Sequence, residues 1–150
     1  MILPAISIMQ PWPYAILRLG KNCENRSWPL PAQYEGVPVL MHAGKRIDKH
    51  GVDFLARLGH PTSTNILRGG ILGFIVFSKR IAAAPRTINW ADFGQYNWGI
   101  LASGELPFHP CKGSLGFFKV DYPHGAAWKG VLQNLGIKMK IYRNANETKG

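Results

Sequence analysis

Acidic residues are scarce in this chain of 150 residues: eight Asp and Glu stand against eighteen Lys and Arg, a formal net charge of +10. An excess of this kind attracts polyanions over a Debye length of about 8 to 10 Å and speeds their association, so nucleic acid is the expected partner. The plainer alternative is a basic surface that only aids solubility. Two cysteines, Cys23 and Cys111, are too few and too far apart for a zinc ribbon or a disulfide framework. No apolar run approaches the roughly 18 residues of a membrane span, so no membrane partner is expected. The start at Met1–Ala5 has no basic region leading into a long apolar segment, which argues against a secretory signal and for a cytoplasmic location. His42, His50, His60, His109 and His124 form no close pair with acidic residues at zinc-ligand spacing, and no metal site is expected. Gly69-Gly70-Ile71-Leu72-Gly73 lacks the Lys-Ser/Thr ending of a phosphate loop and runs into a strand. Internal repeats and low-complexity segments are absent as well.

What is present fits one globular domain, with 46% hydrophobic and 17% charged residues. A chain of this length buries roughly 70% of its unfolded surface and needs no covalent staple. Ala5–Met9 alternates modestly and reads as a strand. Pro11 suits a first helical turn, Trp12, Ala15, Ile16 and Leu19 recur at helical spacing, and Gly20 can close the helix in the left-handed region. Asn22–Trp28 reads as a second strand, ended by Pro29 and Pro31, with 31–36 as a connection. Val37–Ala43 is a third, with Val39 and Met41 on one face and Leu40 and His42 on the other. A second helix runs from about Ile47 through Gly51, Phe54, Leu55 and Leu58, with Asp48 in its first turn and Gly59 closing it, before a loop over 60–65.

Gly70–Ser78 is a continuous apolar run and reads as a strand buried on both faces. Ala82–Tyr96 reads as loop and short helix across the mouth of a barrel. The last two strands fall at Asn97–Ser103 and Ser114–Asp121, the latter alternating through Leu115 and Phe117. Trp128, Leu132 and Leu135 then recur at roughly helical spacing before a basic, mobile end. Several short strands broken by two helices predict an α+β class built on a small mixed barrel rather than a doubly wound sheet. Residues 1–125 form that domain and 126–150 a C-terminal helical segment and basic tail.

Lys21 and Glu24 carry the most chemistry. Three positions apart, they point to opposite faces of a regular strand and meet only if Lys21 sits in the turn before it. A lysine partly desolvated by barrel walls can act as base or nucleophile, and a nearby glutamate can accept a proton. A structural ion pair between helix end and barrel is the competing reading. His42 and Lys45 follow the third strand and complete the candidate catalytic set. Arg26, Lys45, Arg46, Lys112 and Ser114 form a candidate phosphate grip, Arg by bidentate contacts and Lys as a point charge. Trp12, Trp28, Tyr34, Tyr96 and Trp98 supply stacking faces, each worth about 1 to 3 kcal/mol per base where a base stacks, unless they are core. Gln10, at the strand-to-helix junction, joins the binding set. Cys23, beside Lys21 and Glu24, reads better as a small half-buried strand residue than as a nucleophile.

The series Gln10-Pro11-Trp12, Gly20-Lys21, Glu24-Asn25-Arg26-Ser27-Trp28, His42-Ala43-x-Lys45, Gly70-x-Leu72-Gly73 and Pro110-x-Lys112-Gly113-x-Leu115-Gly116 resembles an ASCH domain of the PUA-like superfamily. The match runs in order from about residue 5 to about residue 121. The resemblance implies a small PUA-like β-barrel with flanking α-helices, a cleft between them, and association with RNA or modified nucleosides. In bacterial relatives that hydrolyse acetylcytidine it points to a lysine, a threonine three residues on and a separate glutamate. Lys21 matches the lysine, whereas Glu24 stands at the threonine's place. The leading expectation is therefore a binder of single-stranded RNA or a nucleotide. The alternatives are a hydrolase, with a ribonuclease ahead of a modified-nucleoside amidohydrolase, and a protein-interaction module facing an acidic partner. No cofactor is required; Mg²⁺ between Glu24 and an RNA phosphate belongs to the nuclease alternative.

Overall fold

The parallel pairing of two strands near the start of the chain organises everything that follows. β1 (Ile2–Gln10) and β3 (Pro38–Ile47) run side by side in the same direction, with Ala5 opposite Leu40 and Ser7 opposite His42. Parallel neighbours need a crossover, and here it contains α1 (Trp12–Arg18), β2 (Cys23–Arg26) and a 3₁₀ turn at Ala32–Tyr34. α2 (Lys49–Arg57) leads on to β4 (Gly70–Ser78), β5 (Tyr96–Pro110), β6 (Phe117–Asp121) and α3 (Gly125–Glu147). The computed structural model describes residues 1–63, 65–81, 88–92 and 94–147, those from 137 on by backbone alone. The expected loop and short helix of 82–96 thus falls partly outside the described residues, as does the extreme end of the basic tail.

The six strands form one sheet in the order β2-β5-β4-β3-β1-β6, and every pairing between neighbouring strands but β1–β3 is antiparallel. The sheet curls into a half-barrel whose outer strands, β2 and β6, share no ladder. Aromatic side chains bridge them instead. Trp98 of β5 stacks on Phe117 of β6 with centroids 5.9 Å apart and planes 6° from parallel, while Trp28 meets both rings edge-on. Tyr34 stacks on the same Phe117 at 3.8 Å.

Strand alternation divides the apolar residues between two sides. Ile6, Ile8, Val39, Met41, Ile75, Phe77 and Trp98 fill the inner core. Leu3, Ala5, Leu40, Ile71, Val120 and Tyr122 pack on the other side against Trp128 and Val131 of α3. The division of Val39 and Met41 from Leu40 and His42 is the one expected from β3's sequence.

Several expectations are corrected. β5 continues to Pro110, well past Ser103, through a register shift that sets Ile71 opposite His109 but Gly73 opposite Glu105. The extra residues there include Pro107, a position where a missing N–H is tolerated. Leu115 is 96% exposed and precedes β6 rather than belonging to it. Ile47 ends β3, and α2 starts only after Asp48. In α3, Val131 rather than Leu132 joins Trp128 in the core, and the helix continues to Glu147. Among the described residues no helix is long and apolar enough to cross a membrane.

Candidate functional site

α1 and the start of α2 are joined to each other by a hydrogen-bonded link. The Trp12 indole Nε1 donates to Asp48 Oδ2 at 2.8 Å, while Asp48 Oδ1 caps α2 by accepting from the Gly51 N–H at 3.2 Å. Gly51 lies so close to the Trp12 ring that an added Cβ would approach it to 2.8 Å. Phe54 from the next turn of α2 meets Trp12 at 6.1 Å and Trp90 at 5.9 Å. These three rings form one wall of a cavity of about 950 Å³ between the helices, β2 and the 113–116 loop.

Lys21 and Glu24 form the deep part of that cavity. Gly20, at φ +74°, closes α1 and turns the chain so that Lys21 lies before β2, the arrangement that lets it share a face with Glu24. Lys21 is 4% exposed; its Nζ donates to the Cys23 carbonyl and sits 5.1 Å from the Trp12 ring centroid. Glu24 is 5% exposed, with Oε1 accepting the Asn25 N–H at 3.2 Å. No ion pair joins the two side chains, so the structural reading of Lys21 and Glu24 as a mutual salt bridge does not hold.

Two buried atoms in this region have no protein partner: Glu24 Oε2, an acceptor, and Arg26 Nε, a donor. Buried polar atoms are paired in the great majority of cases, and an exception is met by strain, by an ordered water or ion, or by a ligand. Arg26 follows Glu24 on the same face of β2. Its Nη2 donates to the Ser7 carbonyl at 2.9 Å, and its guanidinium lies 5.8 Å from the Trp98 ring. Asn25 ties β2 to the cavity's far wall, donating to the Trp90 carbonyl at 2.9 Å and accepting from Asn97 at 2.6 Å and from the Asp92 N–H at 3.2 Å.

Burial pushes the Cys23 thiol above its ordinary pKa; the Lys21 charge opposes this, while Glu24 and Asp92 add to it. A thiol kept protonated in this way is a poor nucleophile.

Of the residues singled out in the sequence, Trp12, Lys21, Glu24, Arg26, Lys45, Arg46 and Ser114 line the cavity together. Lys45 and Arg46 are exposed at its rim. The others sit elsewhere. His42 is 1% exposed, with Nε2 2.9 Å from the Cys111 carbonyl and Nδ1 2.9 Å from Ser7 Oγ. The carbonyl only accepts, so Nε2 carries the proton and Nδ1 accepts from the serine. This is a cross-strand link between β1 and β3 and leaves no nitrogen free for the proposed proton transfer. Gln10, 3% exposed, donates to the Leu67 carbonyl and accepts from the Tyr14 N–H; it is a joint between loop and helix. Trp28 belongs to the aromatic bridge between the sheet's ends. Tyr96 and Lys112 are exposed but do not line the cavity.

Asp48, Phe54, Trp90 and Asn25 were not singled out as site residues. Asp48 and Phe54 were legible only as a helix-start residue and an apolar helix position, and Trp90 lies in a stretch without clear periodicity. Among the described residues no group of three His, Cys, Asp or Glu side chains has the geometry to hold a metal ion. No family model matches the chain, and no curated protein matches it at a significant level.

Proposed function

We propose that this domain binds single-stranded RNA or a nucleotide in the cavity between half-barrel and helices, in the manner its resemblance to ASCH domains implies. The carrying observation is one cavity of about 950 Å³ that combines a Trp12–Phe54–Trp90 wall, two buried charged groups and a cationic rim. Its volume lies within the usual range for small-molecule sites. Aromatic walls stack bases of any sequence, and Lys45, Arg46 and Ser114 at the rim suit the phosphate that follows a base. The formal charge of +10 adds long-range attraction for the same class of ligand.

A ribonuclease reading rests on the burial of Lys21 and Glu24 in the same cavity, with Lys21 as the proton-transfer group and Glu24 orienting the nucleophile or a Mg²⁺ ion. Incubating the protein with end-labelled single-stranded RNA, with Mg²⁺ and with chelator, separates the readings. Intact, retarded RNA supports the binder and fragments support the nuclease. No interaction in either condition overturns both and favours a protein partner.

A further inference from the structure

We propose that the base read by this cavity is guanine, with Glu24 as the residue that selects it. The inference rests on the nucleotide-binding reading above and adds the identity of the base. It starts from the pair of partnerless buried atoms, Glu24 Oε2 and Arg26 Nε, and from Lys21, whose ammonium has three protons and, among the described residues, one acceptor, the Cys23 carbonyl. The site therefore offers an acceptor with unused capacity and donors with unused capacity, carried by residues that line one cavity.

A carboxylate only accepts hydrogen bonds, so the edge it meets favourably is one with two adjacent N–H donors. Guanine has such an edge in N1–H and the 2-amino group. Adenine and cytosine each place an unprotonated ring nitrogen next to their amino group, and its lone pair faces the second carboxylate oxygen. Uracil flanks its single N3–H with two carbonyls, which repel a carboxylate on both sides. Guanine O6, next to N1, is an acceptor and requires a donor; Lys21 and Arg26, two of the residues that line the same cavity, carry N–H groups that can supply one. The aromatic wall receives the face of the bicyclic ring, which has more stacking area than a pyrimidine.

Glu24 has little freedom to escape this role. Its Oε1 is tied to the Asn25 N–H, and Asn25 is itself bonded to Trp90, Asp92 and Asn97. A carboxylate fixed in this way is preorganised, and the wrong edge leaves it buried against a lone pair. Sites built on buried hydrogen-bonding groups reject ligands that cannot pair with them far more strongly than apolar pockets do.

The test is equilibrium binding of GMP, IMP, AMP, CMP and UMP to the intact protein, followed by intrinsic tryptophan fluorescence and by calorimetry. GMP should bind at least ten-fold more tightly than AMP, CMP or UMP. IMP, which keeps N1–H and O6 but lacks the 2-amino group, should fall between. Glu24→Gln should bring GMP down to the level of the other nucleotides, since its amide presents a donor where the carboxylate presented an acceptor. Equal binding of all five overturns the guanine assignment and leaves the nucleotide reading standing. A preference for another base also overturns it. Binding of none, at any salt concentration, overturns the nucleotide reading together with it. Far-ultraviolet circular dichroism and melting of Glu24→Gln separate loss of fold from loss of recognition, and the wild-type selectivity series decides the case without any variant.

Discussion

Trp12 and Asp48, 36 positions apart in the chain, share a hydrogen bond of 2.8 Å that couples a cavity wall to a helix cap. One carboxylate holds the indole with one oxygen and the first turn of α2 with the other. Loss of an N-cap costs about 0.5 to 2 kcal/mol, and loss of the indole's partner frees the ring. Asp48→Ala should lower Tm by several degrees, at about 2 to 4 °C per kcal/mol for a domain of this size. It should also weaken ligand binding beyond what partial unfolding explains. Trp12→Phe keeps an aromatic ring but loses the bond, so it should melt closer to the wild type than Asp48→Ala does. Thermal melts and binding isotherms on both variants check this; equal and negligible effects would break the proposed coupling.

Glu24 is not held by a salt bridge to Lys21, and among the described residues its side chain has one hydrogen bond, from the Asn25 N–H. A glutamine oxygen can accept the same bond. Glu24→Gln should therefore stay within about 1 kcal/mol of wild-type stability, unlike the roughly 3 to 5 kcal/mol expected when a buried ion pair loses one member. Chemical denaturation measures the difference. A loss at the larger figure would return the pair to a structural role.

Two glycines of the motif series act for different reasons. An added Cβ at Gly73 would fall 2.4 Å from the Gly104 carbonyl oxygen of the neighbouring strand, so Gly73→Val should be strongly destabilising or prevent folding. Gly116 has open space but a φ of +64°, so Gly116→Ala should cost only about 1 to 2 kcal/mol of backbone strain. Close backbone approach is the constraint at Gly73, and the dihedral angle is the constraint at Gly116. Melting temperatures in the order wild type, Gly116→Ala, Gly73→Val are the expected result.

Burial raises the pKa of the Cys23 thiol above that of a free cysteine, so the native state retains a proton that the unfolded chain gives up. Stability is unaffected below the unfolded pKa and falls as pH rises through it, from about pH 8.5 to 9 upward. Cys23→Ala should flatten that alkaline decline. Iodoacetamide at pH 8 should modify Cys23 in the folded protein far more slowly than in the unfolded one, as peptide mass mapping would record. Rapid labelling of folded protein would contradict the buried, protonated thiol.

Much of the fold is legible locally. The apolar run of β4, the helical spacing of α1 and Gly20 at its end all carry their own signals. β5 is not legible past Ser103 because Gly104 and Pro107 are poor strand residues in isolation; Gly104 is kept in the strand by pairing with Phe74 of β4, and Pro107 lies in the register shift between Glu105 and His109. At the site, Lys21, Glu24 and Arg26 are found because they lie within six residues of one another. Trp12–Asp48 and Asn25–Trp90 are tertiary bonds between distant segments, which periodicity does not encode. The surroundings of His42 are not legible for a related reason: its hydrogen-bonding groups meet Ser7 and the Cys111 carbonyl, neither adjacent in sequence.

The most direct test of the central claim is the salt dependence of single-stranded RNA binding, measured by fluorescence anisotropy for the wild type and for Lys45→Glu, Arg46→Glu and Trp12→Ala. Log affinity should fall with log salt at a slope of about −0.7 per phosphate neutralised. Each rim charge reversal should weaken binding and make that slope shallower, whereas Trp12→Ala should weaken binding by about 1 to 3 kcal/mol with the slope unchanged. A flat salt dependence, or affinity indifferent to Trp12, would contradict a cavity that stacks a base and grips its phosphate.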